Sequence, residues 1–302
     1  MKCSLCPHQC SADRIHSQGV CHSSWTPEVA AVCVHQGEEP PLSGSRGICN
    51  VFFSHCNLRC IYCQNWQISR GATAGEGLQG VDAIVARVAE VLDETENIVG
   101  LVTPTHYAES IPAIVEGLHA RGLHPVTVYN TSGYERVETL RMLEPYVDVY
   151  LPDMKYSDSD LAQRYSHAAD YPAVAVAALR EMYRQKGSCL RTDERGMAFG
   201  GIIVRHLVLP GCVENSLGVL EAIADVSLNL HVSLMAQYWP CVEEAKGVDA
   251  LGRRLQQGEY ERVVEHFFGV GLHNGWLQEL ESGGCWLPDF GRREWSVESS
   301  KY

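Results

Sequence analysis

Between residues 47 and 271 short apolar runs alternate with longer amphipathic stretches, and this alternation restricts the possible folds more than any other feature of the chain. Taken as strand then helix, the pairs are 47–53 with 81–94, 98–102 with 109–121, 126–130 with 135–146, 147–154 with 172–185, 202–209 with 216–224, and 231–237 with 259–268. The strands are nearly continuous in apolar residues (VDVYL, IIVRHLVL), which suits parallel strands covered on both faces. The helices repeat apolar residues at three- and four-residue spacing, as at Ile84, Val85, Val88, Val91 and Leu92. Such alternation builds right-handed βαβ crossovers and a parallel sheet. Six units fall short of the eight that close a barrel. The expected fold is therefore α/β, a partial (β/α)6 TIM-like barrel, or three-quarter barrel, with a small N-terminal Cys-rich metal-binding segment. The expected divisions are 1–46 for that segment, 47–271 for the barrel and 272–302 for a C-terminal extension packing on it.

In parallel sheets the working groups collect at the carboxyl ends of the strands. Here those ends are polar in succession: His55, Thr103 to His106, Asn130 and Thr131, Asp153 to Lys155, Arg205 and His206, then Gln237. Any one of them could simply cap a strand; the recurrence argues for a site.

The formal net charge is -13 and the pI is near 5.4, so there is no broad basic surface to release counterions from nucleic acid or to meet an anionic membrane. Residues 1–20 lack the apolar core of a secretory signal, and no stretch approaches the roughly 18 apolar residues of a membrane span. The expected location is the cytoplasm, without nucleic-acid or membrane partners.

The chain has thirteen cysteines, nine of them before residue 64, in two groups separated by a short strand-like region. In a reducing compartment such clustering points to metal. Cys56, Cys60 and Cys63 form C-x3-C-x2-C directly after the first barrel strand. Three thiolates can hold three irons of a cubane and leave the fourth open to a cofactor, whereas electron-carrier ferredoxins spend four cysteines per cluster. A zinc site completed by His55 is the alternative. The amino-terminal spacing, Cys3, Cys6, Cys10 and Cys21 with Gly19 permitting close approach, supplies four ligands. Zinc is favoured there because it can fix a short tail with little core, and a second iron–sulfur cluster is the alternative. His8, His16 and His22 are substitute ligands, and a disordered thiol-rich tail is the bland reading. Cys33, Cys49, Cys189, Cys212, Cys241 and Cys285 are assigned to packing, with Cys212, after Pro210 and Gly211, a candidate functional thiol.

The motif C-x3-C-x-aromatic-C, with Tyr62 at the aromatic position, resembles the signature of the radical S-adenosylmethionine (SAM) superfamily. VTPTHY, VYLPDMKYSD, LAQRYSHAADYP, IVRHLVLPG, VSLMAQYWP, GLHNGWLQE and the amino-terminal CSLCPHQC together resemble the PflX-type relatives of pyruvate formate-lyase activating enzyme. That resemblance implies a [4Fe–4S] cluster whose open iron binds SAM. It also implies reductive cleavage to a 5′-deoxyadenosyl radical that abstracts hydrogen, with a glycyl radical protein as possible target. Asp153 and Lys155 match a D-x-K that contacts SAM, and Arg205 matches an arginine for the cofactor's carboxylate. Asn130 and Gln237 are weaker candidates for ribose or adenine. Thr103 and Thr105 stand where many members carry Gly-Gly-Glu, and no carboxylate follows until Glu109. The implied partners are a protein or peptide substrate and a reductant such as flavodoxin or ferredoxin. Competing readings are modification of a peptide or small molecule, a non-catalytic iron–sulfur carrier or sensor, and a zinc-binding interaction module.

Overall fold

The computed structural model describes residues 2–70, 76–280 and 290; Cys285 and the expected C-terminal extension beyond residue 280, apart from Phe290, lie outside the described residues. The strands are β1 Glu28–His35, β2 Ile48–Phe53, β3 Leu78–Gln79, β4 Ile98–Val102, β5 Val126–Thr131, β6 Val149–Pro152, β7 Arg191–Thr192, β8 Ala198–Leu207, β9 His231–Met235 and β10 Asn274–Leu277. They form one sheet in the order β10-β9-β8-β6-β5-β4-β2-β1-β3, with β7 paired to β8 off this path. From β2 to β10 the neighbours on that path are parallel. β1 lies antiparallel on β2 and carries β3. Among the described residues β3 and β10 do not pair, so the barrel is open, as six units require.

Two differences from the sequence expectation concern the sheet edges. β10 adds a seventh parallel strand from within 272–302, and β1 comes from within 1–46, so the sheet passes the 47–271 limits at both ends. β10 has only four residues with alternate exposure, which leaves no apolar run to read. By contrast β2 and β4 are buried along their whole length, as parallel strands covered on both faces should be.

The outer layer holds the six expected helices at Val81–Leu92, Ile111–His119, Val137–Leu143, Tyr171–Lys186, Val213–Val226 and Gln257–Gly269. Ile84, Val85, Val88, Val91 and Leu92 are the buried face of the first. The second starts two residues later than expected because a 3-10 turn, Thr105–Ser110, occupies its start and Pro112 sits in its first turn. A short helix, Ser159–Ser166, capped by the Asp158 side chain, was not expected.

Inside the barrel Ile48, Ile98, Val128 and Val149, from the amino-terminal halves of their strands, pack with Leu42 from the turn Pro40–Ser43. Leu42 is fully buried and closes that end. The barrel interior is therefore open only toward the carboxyl ends of the strands among the described residues.

Candidate cofactor site

The peptide leaving β2 is tied down immediately: Ser54 N–H donates to Glu28 O and His55 N–H to Ile68 O. His55 and Arg59 adopt left-handed backbone conformations, φ 71° and 55°, that curl the loop tightly. Cys56 and Cys60 are buried and Cys63 half-buried, and all three line a cavity of about 520 Å³. Thr103, Asn130, Asp153, Lys155, Arg205 and Gln237 line the same cavity. The ends of β4, β5, β6, β8 and β9 thus converge on one space with the three thiols. Tyr62 is in the wall too, its hydroxyl accepting from Tyr156 at 2.9 Å.

Burial, helped by the neighbouring Cys60, pushes the Cys56 thiol up to about 12 and that of Cys63 up to about 11. Such thiols ionise readily only where a cation compensates them, which suits metal ligands. Among the described residues no three His, Cys, Asp or Glu side chains converge as ligands of one metal ion. A cubane does not require that, since each thiolate binds its own iron, so the donor set fits a three-cysteine cluster. A tetrahedral zinc does require it. His55, the zinc reading's fourth ligand, turns to Glu28 at 3.8 Å instead.

Lys155 Nζ meets Asp153 Oδ2 at 2.5 Å within the cavity wall. Burial opposes the Lys155 charge, but the Asp153 carboxylate and then Cys60 hold it well above the ordinary lysine range. The Tyr171 hydroxyl fixes the backbone here, accepting from Lys155 N–H at 3.0 Å and lying 2.9 Å from Asp153 O. Gly133, at φ +78°, makes this approach possible, because a Cβ there would stand 2.2 Å from Asp153 O.

Two expected side chains have other partners. Arg205 was assigned to a cofactor carboxylate, but its Nε donates to Glu39 Oε1 at 2.8 Å and its Nη2 to Glu39 and Glu38. The loop after β1 already neutralises it, and only Nη1 remains without a hydrogen-bond partner among the described residues. Thr105 does not line the cavity; its hydroxyl donates to Glu135 Oε1 at 2.5 Å. Thr103 does line it, held at φ 57° with its N–H on Asn130 O at 2.8 Å. Gln237 accepts from Gln278 Nε2 at 2.9 Å.

Sequence reasoning missed Glu38, Glu39, Cys33 and Ser132, all in the cavity wall. Glu38 and Glu39 precede β2 rather than end a strand, so the strand-end rule passes over them. Cys212 lies outside the cavity, 3.8 Å from the Tyr165 hydroxyl.

In the amino-terminal group Cys3, Cys6 and Cys21 are buried and Cys10 is half-buried. Burial raises Cys6 to about 12, with Cys21 and Cys3 near enough to add to it. A Cβ on Gly19 would stand 2.8 Å from Cys10 Sγ, so the glycine does permit a close approach. The segment is docked on the loop after β2 and on the helix Val137–Leu143: His8 Nε2 bonds Asn57 O at 2.8 Å, and Thr139 Oγ1 donates to Leu5 O at 2.7 Å. His8 is thereby engaged with the loop.

No family model matches the chain. It is similar to an uncharacterized protein of Methanocaldococcus jannaschii, 28% identical over 276 residues, covering 87% of this chain and 73% of that one. Among solved structures it is similar to a domain of pyruvate-formate lyase-activating enzyme from Bacteroides vulgatus, at 14% identity and TM-score 0.39, over 57% of this chain and 93% of that domain. It is also similar to Streptococcus suis SuiB bound to S-adenosylmethionine, at 12% identity and TM-score 0.47, over 74% of this chain and 45% of SuiB. Methylornithine synthase (PylB) matches at 16% identity and TM-score 0.45, over 73% of this chain and 62% of the synthase. No helix among the described residues is long and apolar enough to cross a membrane.

Proposed function

We propose that the chain is a radical SAM enzyme. The observation that carries this reading is that Cys56, Cys60 and Cys63, with the spacing of a three-thiolate cluster loop, open onto one cavity with polar residues from five strand ends. When bound, a [4Fe–4S] cluster and SAM would supply a 5′-deoxyadenosyl radical for hydrogen abstraction. The three cysteines would hold the cluster. Lys155, kept charged, offers donors to a carboxylate, while Asp153, Thr103, Asn130 and Gln237 offer partners for hydroxyl, amino and ring nitrogen groups. Phe52, Val102, Leu207 and Trp276 supply apolar wall that limits water around a reactive species.

The finer reading is a PflX-type relative of the glycyl-radical activating enzymes, acting on a protein or peptide and reduced by flavodoxin or ferredoxin; the open side of the barrel supports entry of a loop. Modification of a small molecule is the alternative. Cys3, Cys6, Cys10 and Cys21, which do not converge on a single ion, would hold a second iron–sulfur cluster rather than the zinc favoured from their spacing. The test is anaerobic reconstitution with iron and sulfide, followed by dithionite and SAM. The reading predicts 5′-deoxyadenosine, lost when Cys60 is replaced by alanine. SAM surviving intact beside a reduced cluster would favour the carrier or sensor instead.

A further inference from the structure

The loop that carries Cys56, Cys60 and Cys63 ends in a short helix, Trp66–Ser69, held by three hydrogen bonds. Trp66 N–H donates to Cys63 O at 3.1 Å, His55 N–H to Ile68 O at 2.8 Å, and Phe290 N–H to Gln67 Oε1 at 3.0 Å. Ile68 is buried in the cluster of Phe52, Val102 and Phe290. Ser69 closes the helix at 6% exposure, and its hydroxyl has no hydrogen-bond partner among the described residues. A helical serine ordinarily points to solvent or returns its hydroxyl to the carbonyl four residues back. That carbonyl, Asn65 O, takes Ser69 N–H at 2.9 Å, yet the buried hydroxyl does not use it.

Buried hydroxyls are nearly always partnered, so an idle one calls for an acceptor that the bare chain does not supply. Ser69 stands outside the cavity wall, so that acceptor is not a molecule entering the cavity. The group it adjoins is Cys63, whose thiol it draws down against the larger upward push of burial and of Cys60. A neutral thiol accepts hydrogen bonds weakly, whereas an ionised sulfur accepts them strongly. The hydroxyl therefore gains its partner when Cys63 is a thiolate, the form that binds metal. Leu58 N–H on Cys56 Sγ at 3.3 Å and Asn65 N–H at Cys63 are main-chain donors to these sulfurs. Ser69 contributes a side-chain donor, which a substitution removes without altering the loop.

We propose that the Ser69 hydroxyl donates to the Cys63 sulfur of the bound cluster and raises its reduction potential. The inference rests on the three-cysteine cluster of the reading above, though not on SAM. Reduction adds negative charge, so a donor fixed against a ligand sulfur favours the reduced form, and hydrogen bonds to the sulfurs are among the factors that set cluster potentials. Ser69 acts through Cys63 and not on a substrate, which makes it a positioning residue. Its effect falls on the redox partner: without the hydroxyl, a stronger reductant is needed to load the same electron.

The experiment uses the anaerobically reconstituted 302-residue chain as wild type, Ser69→Ala, Ser69→Thr and Ser69→Val. The midpoint potential is read by electron paramagnetic resonance through a redox titration, and iron and sulfide are measured on each sample. At a given potential Ser69→Ala should lower the ratio of reduced to oxidised cluster about tenfold, a fall of about 59 mV for one electron. Ser69→Thr, which keeps the hydroxyl, should hold the wild-type value. Ser69→Val, the isostere of threonine without the hydroxyl, should fall as alanine does, and this pair carries the comparison if alanine loads too little iron. Equal potentials with and without the hydroxyl, at equal iron content, overturn the inference. Iron lost from both hydroxyl-free variants but kept by threonine overturns it too, in favour of a role in assembly. A wild-type chain that takes up no cluster counts instead against the reading beneath it, so the two failures are separable.

Discussion

Glu135 is 2% exposed, with Thr105, Thr131 and Tyr129 all directed at its Oε1 and nothing on its Oε2. Burial raises its carboxyl to about 7 despite those hydroxyls. A carboxyl that binds its proton more tightly when folded stabilises the fold fully below the unfolded value, near 4.5, and loses that advantage as pH rises through about 7. Unfolding free energy should therefore fall by roughly 3 kcal/mol between pH 4.5 and 8 from this group. Glu135→Gln should flatten that slope in denaturant titrations, and an identical slope in the variant would refute the assignment. His106 and His206 act in the opposite sense, since burial lowers them to about 3 and about 4 and their contribution is lost as pH falls below 6.5. The sequence made single residues legible by position but not by direction. Thr103 and Thr105 are two residues apart, yet one faces the cavity and the other Glu135, because the 3-10 turn beginning at Thr105 rotates it away.

Among the elements, the ends of β5 and β6 meet in a tight joint near the site. Gly133 sits at φ +78°, and a Cβ there would meet Asp153 O at 2.2 Å and the Tyr171 hydroxyl at 3.0 Å. Gly133→Ala combines left-handed strain with a backbone clash, so a loss of about 1–3 kcal/mol is expected, read as a lower denaturation midpoint. A wild-type midpoint would mean the joint is looser than described. Because Asp153 and Lys155 follow β6 directly, the same variant should weaken SAM binding. The barrel strands and the six outer helices were readable because long apolar periods leave little choice of element. β10 and the helix Ser159–Ser166 were not, since the first has four residues and the second has eight, only Leu161, Ala162 and Tyr165 of them apolar.

Over the molecule as a whole, the amino-terminal cysteine segment is integrated into the barrel rather than attached to it. Arg14, 3% exposed, donates to Ser23 O at 3.2 Å, to Ser23 Oγ and His106 O at 2.6 Å, and to Ser24 O. Its guanidinium also lies 4.8 Å from the Trp25 ring centroid. Arg14→Ala strands those acceptors and should cost about 3 kcal/mol or more. It should also expose Cys3, Cys6 and Cys21 to thiol reagents well before global unfolding; modification that stays synchronous with unfolding would show that the segment is held by other contacts. The two cysteine groups were legible from spacing alone, but their adjacency through His8 and Asn57 was not, because 49 residues separate those partners.

The central claim is that Cys56, Cys60 and Cys63 hold a cluster with a corner free for SAM. Electron paramagnetic resonance of the dithionite-reduced chain, recorded before and after SAM is added, tests it most directly. The account predicts a [4Fe–4S]+ signal that changes shape with SAM and disappears when any of the three cysteines becomes serine. A signal indifferent to SAM, or serine variants that keep it, would contradict the account.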